Sequence, residues 1–203
     1  MSRGGRPSQL RVIGGRWRGR RLPFPDLPGL RPTPDRVRET LFNWLAPVLP
    51  GARCLDLFAG SGALGIEALS RGAAEAVFVE RHPAAVEALR DNLARLQAQN
   101  ARVERAEALN WLCQAATPFE IVLLDPPFEQ ALLEPVCQGL ERGGWLAPSA
   151  WVYLEAETAL ALAPPAHWSI LKDKTAGAVR YRLARRDIDR DGEAGAVAPE
   201  TAC

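Results

Sequence analysis

Two short stretches of this chain carry side chains whose types and spacing could do chemistry. The first is Asp125-Pro126-Pro127-Phe128, which closes the apolar run FEIVLLD at 119–125. Two prolines supply no N–H donors and restrict the turn, so the Asp125 carboxylate and the Pro126 carbonyl are left as acceptors that can point into a cleft. A planar amino group on a base has two N–H donors for such a pair, and the Phe128 ring can stack on the base face. The bland alternative is that the prolines merely end a strand and Phe128 belongs to the core.

The second stretch is LDLFAGSGALGIEALSRGA, residues 55–73, in which Gly60, Gly62 and Gly65 have the spacing of a dinucleotide fingerprint. The loop Phe58, Ala59, Gly60, Ser61, Gly62 stands between a strand and a helix, where glycines permit close backbone approach and helix N–H groups are unpaired. Asp56, four residues ahead of Gly60, changes the reading. A carboxylate is repulsive to a diphosphate and attractive to a cation, and S-adenosylmethionine brings both a sulfonium and an ammonium group. Glu80, 20 residues past Gly60, suits ribose hydroxyls whichever cofactor is held. Asp56 could also cap loop amides, a role compatible with ligand binding. Together the two stretches describe a methyl donor facing an amine pocket, with a nicotinamide oxidoreductase as the competing class.

Such a site needs strands that end side by side. From residue 53 onward, short apolar strands at 54–58, 76–80, 101–105, 119–125 and 151–155 alternate with helices at 63–71, from Pro83, and at 132–142. Alternation of this kind predicts an α/β fold, a doubly wound and mostly parallel sheet. Residues 168–172 and 179–184, joined by a turn too short for a crossover helix, predict an antiparallel hairpin at the sheet's edge. Ahead of the alternation, 9–13 reads as a strand. Thr33 and Pro34 read as the N-cap and first position of a leader helix with Val37, Leu41, Trp44 and Leu45 on one face.

Charge is unevenly placed. Residues 1–38 carry ten arginines against two aspartates, +8 within an overall +1, so the remainder carries −7. Arg11, Arg16, Arg18, Arg20 and Arg21 with Trp17 fit a surface that neutralises phosphates and stacks on bases; a solvated tail is the alternative. Cys54, Cys113, Cys137 and Cys203 lie far apart and the histidines are only His82 and His167, so metal-ligand spacing is missing and free thiols are expected. With no spanning apolar run and no hydrophobic region after the first charges, a cytoplasmic protein without membrane contact is expected. The expected organisation is a basic RNA-contacting extension at 1–32, a methyltransferase domain at 33–186 that includes the leader helix, and a disordered tail at 187–203.

RVIGGRWRGRRLPFP, RPTPDRVRETLFNWL, LDLFAGSGALGIEALSRGA, FVE and LLDPPF together resemble the RsmD-type 16S ribosomal RNA guanine-N2 methyltransferases of the class I S-adenosylmethionine-dependent superfamily. The resemblance implies a Rossmann-like sheet of seven strands ending in the antiparallel hairpin. It implies a guanine of 16S rRNA as substrate, within a small ribosomal subunit or an assembly intermediate, and the protein is expected to act as a monomer. It further implies that Asp56 to Gly62 cradle the methionine portion, that Glu80 binds ribose, that Glu107 and Ala108 lie beside adenine, and that Thr33 and Arg38 close over the cofactor. Asp125, Pro126, Pro127 and Phe128 would form the catalytic pocket, with no metal. The competing assignments are an adenine-N6 DNA or protein glutamine methyltransferase, and a non-catalytic RNA-binding assembly factor.

Overall fold

The computed structural model describes residues 8–30, 32–127, 131–160 and 163–187. Strands β1 (Ser8–Arg11) and β2 (Arg21–Phe24) pair antiparallel as a separate hairpin, with a 3-10 turn over Gly15–Trp17 at its tip. Leu10, Val12, Leu22 and Phe24 are buried, while Arg11, Arg16, Arg18, Arg20 and Arg21 are exposed; alternation along the strands turns Arg11 and Arg21 outward, and the other three arginines lie in the connection between them. The leader helix α1 (Asp35–Leu45) follows, burying Val37, Leu41, Phe42 and Leu45.

Beyond it run β3 (Arg53–Asp56), α2 (Ala63–Ser70), β4 (Glu75–Glu80), α3 (Pro83–Arg95), β5 (Ala101–Arg105), the short α4 (Ala108–Leu112), β6 (Phe119–Leu124), α5 (Leu133–Arg142), β7 (Leu146–Glu157), β8 (Trp168–Ala176) and β9 (Val179–Arg186). They form a seven-stranded sheet in the order β5-β4-β3-β6-β7-β9-β8, parallel except where β9 runs against β7 and β8. β6 is fully buried from Ile121 to Leu124, as its unbroken apolar run requires of a strand covered on both faces. One face packs under α1, α2 and α3 through Leu41, Phe42, Ile66, Phe78 and Leu89; the other packs under α4 and α5 through Trp111, Val136, Leu140 and Trp145. Progress through the sheet reverses between β3 and β6, which brings the ends of these two strands together.

The C-terminal hairpin forms the antiparallel edge of the sheet as expected, with its second strand, β9, between β7 and β8, and three other expectations are corrected in detail. β9 buries Tyr181, Leu183 and Ala184, whereas residues 171–175 of β8 are exposed and include two lysines, a composition suited to an edge that discourages further pairing. β7 starts at Leu146 because a register shift between Phe119 and Ile121 of β6 allows an extra rung. Thr33 makes no N-cap hydrogen bond; Pro34 occupies that place, and the hydroxyl is used elsewhere, as described below. Cys54 and Cys137 are free and buried, but Cys113 is disulfide-bonded. The expected tail lies, beyond Asp187, outside the described residues.

Candidate active site

The ends of four adjacent parallel strands each carry one carboxyl group on the face shared with α1 and α2. Glu80 closes β4, Asp56 closes β3, Asp125 follows β6, and Glu155 stands near the end of β7. Register explains the row. Asp56 is opposite Phe78 and Leu123, Leu123 is opposite Tyr153, and side chains two residues apart share a face, which places Glu80, Asp125 and Glu155 one step further on the same side.

Asp56 is buried and its Oδ2 accepts the Gly65 N–H at 2.9 Å, so it satisfies a free amide in the first turn of α2 from the strand below. Burial raises its carboxyl pKa to about 7, against the Gly65 bond, with the charges of Asp125 and Glu80 adding to the rise. Glu80 Oε2 accepts the Gly60 N–H at 2.9 Å and Oε1 accepts the His82 N–H at 2.7 Å, pinning the loop to β4. Gly60 and Gly62 both have positive φ, +52° and +79°, and Gly62 is the N-cap of α2. Ala59 and Ser61 are buried and Phe58 half-buried, packed on the α4 and α5 side. The third glycine serves packing: a Cβ at Gly65 would stand 2.3 Å from the Phe78 ring, so α2 lies directly on β4.

Asp125 Oδ2 accepts a 2.9 Å hydrogen bond from the Thr33 hydroxyl. The connection into the leader helix therefore holds the carboxylate that follows β6. Burial raises the Asp125 pKa to about 6, opposed by the Thr33 bond. Pro126 is buried and Pro127 exposed, and both line a cavity of about 250 Å³ with Leu133, Glu155 and Leu160 among its other walls. Phe128 lies outside the described residues.

The remaining expected residues are spread more widely. Arg38 is buried, its Nε donating to the Thr33 carbonyl at 3.1 Å and its Nη2 to the Arg11 carbonyl and Asp35 at 2.9 and 2.6 Å. Its Nη1 faces Glu67 at 3.6 Å, so this guanidinium fastens the leader helix to the hairpin and to α2. Glu107 is exposed, paired with Arg81 at 3.3 Å, and Ala108 is buried at the start of α4. Arg16 lies 4.0 Å over the half-buried Trp17 ring, and Arg11 pairs with Asp35 at 2.7 Å, while Arg18, Arg20 and Arg21 face solvent. Among the described residues no group of three or more His, Cys, Asp or Glu is placed to hold a metal ion, and no helix is long and apolar enough to cross a membrane.

Sequence reasoning passed over two acidic residues. Glu67, fully buried on α2, accepts the N–H groups of Ile13 and Gly14 at 2.9 and 2.7 Å and so docks the hairpin. A glutamate in an otherwise apolar helix, IEALS, was the available signal. Glu155 carries the same signal as Asp56, Glu80 and Asp125, an acid ending an apolar strand (WVYLE).

An acidic row with glycines at positive φ fits a ligand that is cationic at one end and rich in hydroxyls at the other, and disfavours a diphosphate. Comparison with known proteins agrees. The family model described as "Conserved hypothetical protein 95" matches residues 10–185. Ribosomal RNA small subunit methyltransferase D of Escherichia coli is 55% identical over 187 residues, 92% of this chain and 94% of that protein. The protein of the same name from Haemophilus influenzae is 45% identical over 179 residues, 86% of this chain and 93% of its own length. The solved structure of yhhF from Escherichia coli, 55% identical, superposes with a TM-score of 0.83 over 89% of this chain and 99% of that one.

Proposed function

The chain belongs to the RsmD-type methyltransferase family described as conserved hypothetical protein 95, and on that premise we propose that it methylates the exocyclic N2 of a guanine in 16S ribosomal RNA, in a small subunit or its assembly intermediate. The observation that carries this reading is the placement of Asp125, tied to Thr33, one strand away from Asp56 at the sheet's switch point. The cofactor is S-adenosylmethionine, which when bound supplies an electrophilic methyl group on a sulfonium. Asp56 and the 58–62 loop would hold its methionine portion and Glu80 its ribose, while Glu107 and Ala108 would lie beside its adenine. Glu80 can take ribose hydroxyls while bonded to two amides, because a carboxylate has about four acceptor sites.

The guanine amine is a poor nucleophile because its lone pair is delocalised into the ring. Asp125 and the Pro126 carbonyl, as a rigid acceptor pair, would take its two N–H groups, favour a more pyramidal nitrogen and stabilise the positive charge that develops there. Thr33 fixes the carboxylate, and the two prolines hold the turn. Asp125 is well suited to keep the released proton, since burial has raised its pKa to about 6. The exposed arginines at 11, 16, 18, 20 and 21, on the 1–32 extension, would bind flanking phosphates. That attraction would offset the few kcal/mol that flipping a stacked base costs.

The test is transfer of labelled methyl to undermethylated small subunits, with the modified base identified by mass spectrometry after nuclease digestion. Asp125→Ala should lower kcat by about 10²- to 10³-fold, the range for removing one transition-state partner, with the dissociation constant for S-adenosylmethionine changed by less than about threefold. Equal losses in both would assign Asp125 to binding or folding, and a label on a base other than guanine would overturn the substrate.

A further inference from the structure

The fourth carboxyl group of the row has no part in the chemistry described so far. Glu155 is only 3% exposed, yet it lines the same 250 Å³ cavity as Pro126 and Pro127. Leu124 and Leu154 are paired across β6 and β7, so Asp125 and Glu155, each one residue further, stand side by side at the strand ends. One oxygen of Glu155, Oε2, accepts the Tyr153 hydroxyl at 2.7 Å. The other, Oε1, accepts no hydrogen bond among the described residues and is not sealed within the protein. A carboxyl oxygen without a protein partner, on a residue that lines a cavity beside Pro126 and Pro127, is available to a donor on a ligand.

We infer that Glu155 is a specificity-determining residue of this site, whose free Oε1 accepts the ring N1–H of the target guanine while Asp125 and Pro126 hold its amine. The inference rests on the guanine reading above and deepens it. Guanine presents three donors in a row along one edge, the N1–H and the two amine N–H groups, and Asp125, Pro126 and Glu155 would supply three acceptors to match. Adenine presents an acceptor beside its amine, so it would set a lone pair against Oε1. The groups facing Glu155 are Asp125 on β6, Tyr153 on β7 and, across the β9 ladder, Tyr181. Burial and the Asp125 charge push the Glu155 pKa up to about 8. Donation from the Tyr153 hydroxyl to Oε2 opposes that rise, and Oε1 is the acceptor offered to the N1–H when Glu155 is ionised.

The experiment compares small subunits reconstituted with guanine or with 2-aminopurine at the methylated position, because 2-aminopurine keeps the N2 amine and lacks the N1–H. Wild-type protein should methylate the guanine particle with a kcat/KM about 10- to 100-fold higher than the 2-aminopurine particle, the effect of one buried hydrogen bond. Glu155→Ala should lose about that factor on guanine only and so abolish the preference, with S-adenosylmethionine affinity unchanged. Glu155→Gln, whose amide oxygen can still accept while its NH₂ meets the Tyr153 oxygen, should stay within a few-fold of wild type. Absence of preference in the wild-type protein, which needs no variant to fold, overturns the inference and leaves the guanine reading intact. An equal loss on both particles in Glu155→Ala also overturns it, by making Glu155 a support for Asp125. Failure of the wild type to modify guanine at all removes the premise and the inference with it.

Discussion

Replacing Glu67 by glutamine keeps the side chain's shape and should still loosen the basic hairpin from the domain. Oε2 of Glu67 receives the Ile13 N–H at 2.9 Å and faces Arg38 Nη1 at 3.6 Å; Oε1 receives the Gly14 N–H and Arg71 Nε, both at 2.7 Å. Both oxygens therefore accept, and a glutamine must turn its NH₂ toward one set of donors whichever way it flips. At least one buried hydrogen bond to a charged group is lost, about 1.5–3 kcal/mol. Arg38, only 1% exposed, keeps Asp35 at 2.6 Å but loses the charge facing its Nη1, which adds part of the about 3–5 kcal/mol that breaking a buried ion pair costs. The two figures overlap, because they count partly the same interaction, so about 3–4 kcal/mol is expected for Glu67→Gln. Urea unfolding of wild type and variant, followed by tryptophan fluorescence, measures this directly. Hydrogen exchange at the Ile13 and Gly14 amides, compared with those of β6, shows whether the loss is concentrated at the hairpin. A destabilisation below about 1 kcal/mol would refute the reasoning, since it would mean that water or a rearranged Arg38 replaces the carboxylate at little cost.

Three further outcomes follow from other parts of the fold. Gly65→Ala should destabilise the domain by about 1–3 kcal/mol despite alanine's better helix propensity, because its Cβ meets the Phe78 ring at 2.3 Å; a neutral result in the same urea assay would contradict that close approach. S-adenosylmethionine should bind more weakly as pH falls through about 7, by up to tenfold per unit, because the cation favours the ionised Asp56 and burial raises its pKa to about 7. Calorimetric titrations from pH 5.5 to 8.5 would show it, and a flat profile would argue against a cation beside Asp56. Changing Arg16, Arg18, Arg20 and Arg21 to glutamine should reduce the slope of log K against log salt for RNA by roughly 0.7 for each phosphate contact removed, with S-adenosylmethionine affinity unchanged; an unaltered slope would place the RNA elsewhere.

Much of the architecture was legible because local rules and long-range packing agree. β6 could be read from an apolar run with no polar interruption, and α3 from Pro83 and the stripe Val86, Leu89, Leu93 and Leu96, all of which are buried. Gly72, with φ of +106°, caps α2 as its position suggested. The places that misled are those where two segments compete for one group. Thr33 has the side chain of an N-cap, but its hydroxyl donates to Asp125, 92 residues away, and Pro34 takes the N-cap position instead. The order of β8 and β9 could not be read from either strand alone, because it depends on which of them the rest of the sheet needs to bury.

By itself, the order of residues determined that Asp56, Glu80 and Asp125 end strands and that glycines and prolines follow two of them, since these are properties of near neighbours along the chain. It also concentrated the arginines at one end. Only the tertiary structure decided that Glu155 joins that row, that Thr33 steadies Asp125, and that Glu67 and Arg38 tie the hairpin and leader helix to α2. Those relations arise where distant segments lose their water together, and a buried charge must then take whichever partner the packing brings within reach.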